Sequence, residues 1–180
     1  IYYEELASRR FINYLRPFKI IDLDYPELIF RKIKPLDTKK IRSSRSKFLI
    51  PVTDAKSGSG VMLDTKDESI DIVSAVIAAV AMPMFYNRPI EVDGASYFDG
   101  GTAFPLPLKY LIDEYSSTDI LVVINYPCGY VGEASRPWHE RLAAHIFLQK
   151  YPAFCKKFLD RGVGFNSSMK MLWEGKFTNR

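Results

Sequence analysis

Apolar residues in the middle of the chain fall into short blocks separated by turn residues, and each block predicts one element. Phe48-Leu49-Ile50-Pro51-Val52-Thr53 has the length and β-branched content of a strand. Residues 54–60, with Lys56-Ser57-Gly58 at their centre, form a hairpin turn, and Val61-Met62-Leu63 is the return strand. Residues 67–69 offer N-cap oxygens to a helix over 70–81. That helix is apolar on most faces and rich in alanine, which predicts burial against close neighbours, and Pro83 ends it. Ile90-Glu91-Val92 and Ser96-Tyr97-Phe98 pair around Asp93-Gly94. Pro105-Leu106-Pro107-Leu108 leads into a helix through Tyr110, Leu111 and Ile112. The run 120–124 is continuously apolar, the pattern of a strand buried on both faces of a mostly parallel sheet. Residues 136–161 read as two amphipathic helices split by Pro152, with Trp138, Leu142, Ile146 and Phe147 on one stripe.

Glycine placement divides the chain. All ten glycines lie at position 58 or later. In residues 1–46, aromatic and aliphatic positions alternate with charges, and Pro17, Pro26 and Pro35 punctuate them. This predicts short helices joined by turns, a helical cap. Residues 47–127 then form a strand–helix–strand α/β core, and 128–180 a helical extension.

Composition narrows the class. With 47% apolar and 26% charged residues over 180 positions, the chain has the profile of a soluble globular protein. Its longest apolar stretch, 72–85, is interrupted by Ser74 and Pro83 and is too short to cross a bilayer. Residues 1–15 carry Glu4, Glu5, Arg9 and Arg10 and show no signal-peptide pattern. Cys128 and Cys155 follow neither metal nor disulfide spacing, so a reducing, cytoplasmic setting is the expectation. The net charge of +4 is uneven, with 12 Lys/Arg against 6 Asp/Glu in residues 1–50. The cluster Lys32, Lys34, Lys39, Lys40, Arg42, Arg45 and Lys47 suits a membrane surface of anionic head groups, although a solvated helix face is the commoner meaning of such a pattern. No recognisable module interleaves these charges with aromatics, which argues against nucleic acid.

The candidate chemistry is at Tyr97-Phe98-Asp99-Gly100-Gly101, where an aspartate closes an apolar strand just before two glycines. Strand ends in α/β sheets are where such folds hold their sites. Gly100 and Gly101 permit positive φ and leave room for a second element carrying a nucleophile. Burial would raise the Asp99 carboxyl and match it better to a hydroxyl proton. On those residues alone, a turn-capping aspartate is the plainer interpretation.

The surrounding segments favour chemistry. Val52-Thr53-Asp54-Ala55-Lys56-Ser57-Gly58, the stretch 75–83, Glu91-Val92-Asp93-Gly94 and Tyr97-Phe98-Asp99-Gly100-Gly101 resemble, in order and spacing, the patatin-like phospholipases. The resemblance implies a three-layer α/β/α fold with a mostly parallel central sheet, represented here by its later strands and helices. It implies lipid acyl-ester hydrolysis through a Ser–Asp dyad without metal or organic cofactor, Asp99 being the proton acceptor within the Asp-Gly-Gly motif. Residues 18–36 look like the family's cap, and 125–166 like the helical extension of bacterial members. Phe104 departs from the family, many members of which have a polar residue there.

The other half of the dyad is not in these residues. No Gly-x-Ser-x-Gly occurs, and Ser57-Gly58-Ser59-Gly60 lies on the hairpin turn rather than on a strand-to-helix elbow. The expectation is that the amino-terminal part of the domain, with nucleophile and oxyanion loop, precedes Ile1, and that these 180 residues alone hydrolyse nothing. Two alternatives stand beside this. An α/β-hydrolase triad would use His139 or His145 as base and Asp99 as its orienting acid. A domain that kept the fold without the elbow would bind lipid or a partner through the basic cap and the amphipathic 136–161 segment. Tyr14, Phe18, Phe30, Trp138 and Phe147 are candidates to line an acyl channel between cap and tail, each also readable as ordinary core. Oligomeric state is not legible.

Overall fold

The computed structural model describes residues 6–16, 19–86, 88–115, 119–133 and 136–175. Its strands are β1 (Leu49–Asp54), β2 (Gly60–Asp64), β3 (Ile90–Val92) and β4 (Ala95–Asp99). The helices are α1 (Asp24–Leu28), which continues as a wider π-helical turn at Ile29–Ile33, then α2 (Thr38–Ser43), α3 (Ile72–Ala78), α4 (Leu108–Tyr115), α5 (Trp138–Phe147), α6 (Pro152–Leu159) and α7 (Arg161–Glu174).

The strands form one sheet in the order β2-β1-β4-β3. Every pairing in it is antiparallel, where the sequence suggested a mostly parallel sheet. The α/β class holds: two hairpins, β1–β2 and β3–β4, are joined by a crossover through α3 that carries the chain from one edge of the sheet to the other. In the β1–β2 hairpin Val52 faces Val61 and Ile50 faces Leu63. Its turn is held by Asp54, whose Oδ1 accepts from Ser57 N at 2.6 Å and Ser57 Oγ at 2.7 Å. The β3–β4 turn has Asp93 at φ 48° and Gly94 at φ 73°, the two left-handed positions that favour Asp-Gly in a tight hairpin.

Helices cover both faces of the sheet. Ile50, Val52, Leu63 and Val92 pack on one side against Ala75 and Ala78 of α3. The small alanines let the helix axis approach closely. The opposite side of α3, through Val73 and Ile77, meets Leu23, Ala81 and Tyr86 beneath the cap. On the other face of the sheet, Phe98 and Ala55 pack against Ala144 and Leu148 and against Phe154 and Phe158 of α6. The Phe98 and Phe154 rings stack at 4.3 Å. Burying a ring of this size contributes about 2–3 kcal/mol, so β4 is fixed from both sides, Phe98 towards the tail and Tyr97 towards α3.

Three expectations are corrected. The cap of α3 is Asp71, whose carboxylate accepts from Val73 N at 2.9 Å and Ser74 N at 3.1 Å, rather than a residue of 67–69. Residues 120–124 form no strand. Ile120, Val122 and Ile124 are half-buried while Leu121 and Val123 are 91% and 86% exposed. A continuous apolar run specifies burial on both faces, but it does not specify which partners supply it, and no described strand pairs here. Finally, Trp138, Leu142 and Ile146 of α5 lie on the solvent side, so the apolar stripe expected to face the core is split and only Phe147 packs inward.

Candidate active site

Asp99 is the last paired residue of β4, and the cause lies in the neighbouring strand. The β1–β4 ladder runs from Asp54↔Tyr97 to Val52↔Asp99. The next position on β1 is Pro51, which has no N–H to continue the ladder. The chain therefore leaves the sheet at Gly100 and turns through the 3₁₀ segment Gly100–Thr102. Gly100 N donates instead to Ala79 O at 3.3 Å, and Asp99 N to Ala81 O at 3.1 Å, which ties the departure point to the end of α3. Thr53, fully buried, donates its hydroxyl to Asp99 O at 2.8 Å.

The two glycines act through close approach rather than through positive φ. Neither is among the residues with left-handed backbone. A Cβ on Gly100 would stand 2.1 Å from Pro51 O, and one on Gly101 would stand 2.8 Å from Asp99 Oδ1. The space beside Gly100 is thus taken by β1, so the expected room for a second element is not on that side.

The Asp99 carboxylate caps the 3₁₀ turn, accepting from Gly101 N at 2.6 Å. Burial raises its pKa above the ordinary carboxylate value. The Gly101 N–H, the charge of Arg161 and the Thr102 N–H pull the other way without cancelling the rise. Arg161 is the contributor that sequence spacing hides, since it stands on α7 far along the chain. It pairs with Glu140, donates to Phe158 O at 2.7 Å, and lies 3.8 Å from the Phe158 ring centroid. Thr53 and Pro51 had a visible signal, a hydroxyl and a missing donor on the strand beside β4.

The remaining candidates are scattered. His139 stands edge-on to Trp138 at 5.9 Å, and His145 Nδ1 is 3.8 Å from Cys155 Sγ. The groups acting on Asp99 are Gly101, Arg161 and Thr102, with neither histidine among them. The described lining candidates do not gather in one place. Tyr14 and Trp138 are 83% and 76% exposed. Phe30 belongs to the core under the cap and Phe147 to the core under the tail, on opposite faces of the sheet; Phe18 lies outside the described residues. Within the basic cluster, Arg42 is engaged by the fold, donating to Thr65 O, Asp67 O and Ile70 O at 2.8, 2.5 and 2.5 Å. Lys47 reaches Asp64 at 3.5 Å. Among the described residues no group of His, Cys, Asp and Glu could hold a metal ion, and no helix is long and apolar enough to cross a membrane.

The fold and the site together define an α/β protein with a half-buried acid held at a strand end by a glycine turn. A family model for patatin-like phospholipases matches residues 3–112, which include β1 to β4 and the Asp-Gly-Gly turn. The chain belongs to that family of lipid acyl hydrolases. No curated protein and no solved structure matched the chain significantly. The family match ends before α5, so the tail that covers Phe98 and supplies Arg161 lies outside it.

Proposed function

We propose that Asp99 is the proton-accepting half of a Ser–Asp dyad in a lipid acyl hydrolase whose serine comes from a Gly-x-Ser-x-Gly elbow preceding Ile1. The observation that carries this reading is the position of the half-buried Asp99 carboxyl, at the end of β4 where the chain leaves the sheet, with its pKa raised by burial. A carboxylate near 4 is a weak base at neutral pH, and burial brings it closer to the strength that proton transfer from a hydroxyl requires. In the reaction, Asp99 takes the proton as the serine Oγ adds to the ester carbonyl. It returns that proton to the departing alcohol, leaving an acyl-serine, and then activates the water that frees the acid. Backbone N–H groups of the upstream loop would hold the oxyanion. Residues 1–46 serve as cap, 47–127 as the later part of the catalytic core and 128–180 as the extension. The basic 1–50 region brings the protein to an anionic membrane surface from the cytoplasm.

The surroundings of Asp99 support a dyad over a triad, because neither histidine is among the groups that act on its carboxyl. In the complete protein, Asp99→Ala is expected to lower p-nitrophenyl ester turnover by at least a thousandfold with the fold retained. Replacing both histidines should leave the rate within a few-fold. The 180-residue chain alone should be inactive. Turnover by this chain that disappears with Asp99→Ala, or a collapse of rate on losing the histidines, would overturn the reading.

A further inference from the structure

A series of rings leads from β4 to a single cation of the tail. Phe154 stacks on Phe98, the residue before Asp99, at 4.3 Å, and Phe158 stacks on Phe154 in turn at 6.1 Å. Arg161, the first residue of α7, lays its guanidinium 3.8 Å from the Phe158 ring centroid and donates to the Phe158 carbonyl at 2.7 Å. A cation over an aromatic face, bonded to the backbone of the same residue, has little freedom to move. The packing that seats β4 therefore seats this guanidinium as well. Arg161 and Gly101, whose N–H holds the Asp99 carboxylate, line one cavity of about 330 Å³.

The charges around this point are few. Arg161 is the charged side chain among the groups that act on Asp99, and the attraction is mutual. Glu140 of α5 pairs with Arg161, and each of these two side chains is only 19% exposed, so salt screens the pair weakly. Arg136 adds a second positive charge near Arg161, and Glu133 borders the same cavity. Elsewhere on the elements packed against β4, Asp54 of β1 holds its hairpin turn and Glu91 of β3 is exposed. His145 of α5 and Cys155 of α6 meet beside a separate cavity. None of these three elements adds a charge to those acting on Asp99. Arg161 is thus shared between two carboxylates, and the charge that Glu140 neutralises is charge that Asp99 does not feel.

We propose that Arg161 is a positioning residue for the reaction at Asp99, and that its ion pair with Glu140 sets how readily the Asp99 carboxylate takes up a proton. A bare guanidinium beside a carboxylate holds it in the charged form and weakens it as a base, and a counter-charge on the guanidinium offsets that pull. Glu140 and Arg161 both lie beyond residues 3–112, so this control belongs to the tail rather than to the part of the chain that the family model matches. The inference deepens the hydrolase reading and rests on it for its catalytic meaning, while the coupling itself requires no turnover.

The test is a carbon-13 NMR titration of the Asp99 carboxyl in the complete protein, run beside the pH profile of kcat/KM for a p-nitrophenyl ester. Arg161→Gln should move the titration midpoint up by about half a pH unit or more, and Glu140→Gln should move it down. Arg161→Lys keeps the charge and should return the midpoint most of the way to wild type. The acid limb of the profile, which reports the base in the free enzyme, should follow each midpoint. A merely structural pair would behave differently, since breaking it from either side admits water to the carboxyl and lowers the midpoint in both variants. Midpoints that move in the same direction, or that do not move, overturn the inference. Should Arg161→Gln fail to fold, Arg161→Met keeps an apolar stem over the Phe158 ring and takes its place, and a midpoint that does not rise overturns the inference equally. Opposite shifts with hydrolysis indifferent to Asp99→Ala remove the dyad and leave the coupling. Absent shifts with Asp99-dependent hydrolysis intact remove the coupling alone.

Discussion

Asp24 and Asp71 stand where the cap meets α3, and Asp99 stands where the sheet meets the tail; their surroundings act on them in opposite senses. Burial works against ionisation of Asp24, yet hydrogen bonds from Lys19, Tyr86 and Arg88 outweigh it and bring the carboxyl down to about 2. Asp71 is likewise opposed by burial and likewise lowered, by Ser74 N, Arg31 and Val73 N. At Asp99 burial prevails over one strong backbone donor and a cation whose nearest carboxylate is Glu140. Asp24 and Asp71 act as joints, each drawing hydrogen bonds that include at least one from a cation and favour the charged form. Asp99, half-buried at the end of β4, has only backbone donors and a more distant cation to set against burial. The contrast separates two carboxylates whose ionisation the fold favours from one whose ionisation it opposes.

The largest effect that would break this contrast comes from the glycine that seats Asp99. Gly100→Ala places a methyl 2.1 Å from Pro51 O and 2.5 Å from its carbonyl carbon, both backbone atoms that cannot swing aside. Either β1 or the turn must shift, at a cost of about 3 kcal/mol. Tm should fall by about 6–12 °C, on a scale of roughly 2–4 °C per kcal/mol for a domain of this size. A variant melting within a degree of wild type would show that the sheet does not hold Asp99 in place.

How the fold could be foreseen follows the same division. The hairpins at 54–60 and 93–94 were legible because turn chemistry is local, with Asp54 bonding Ser57 and Asp93-Gly94 supplying two left-handed residues. The helix over 72–78 was legible from its alanine and β-branched pattern, though not its cap, since several aspartates precede it and only packing selects Asp71. Strand direction was not legible, because apolar runs state burial and not partners. Asp99 could be singled out from its glycines, but the reason it is the last paired residue lies in Pro51, across the sheet. Arg161 could not be foreseen at all. It reaches Asp99 only because Phe98 gathers α5 and α6 onto the far face, and no local pattern encodes that packing.

A middle-sized effect tests the stabilising side. Asp71→Ala removes the oxygen that accepts from Val73 and Ser74 and the partner of Arg31 at 2.9 Å. Loss of such a cap costs about 0.5–2 kcal/mol, readable as a lower urea midpoint near neutral pH. Because the folded carboxyl is lowered, its contribution is present above the unfolded value and disappears as pH falls through the folded one. Wild type and variant should therefore converge in acid. A gap that persists at the lowest pH at which both fold would mean that Asp71 acts through packing rather than charge.

The smallest effect has the most diagnostic sign. Asp99→Asn keeps an oxygen for the Gly101 N–H and removes a charge that burial disfavours. Since the folded carboxyl is raised, the native state binds its proton more tightly than the unfolded chain does. Its favourable contribution is complete below the ordinary value of 3.8 and is lost as pH rises through the folded one. At neutral pH the ionised Asp99 thus weighs against folding. Asp99→Asn should melt a few degrees higher there, while the difference vanishes below the ordinary carboxylate range. A functional carboxylate kept at some cost to stability behaves in this way, and a joint does not. If Asp99→Asn instead melts lower at neutral pH, the attraction of Arg161 outweighs burial, and Asp99 belongs with Asp24 and Asp71 as a structural anion.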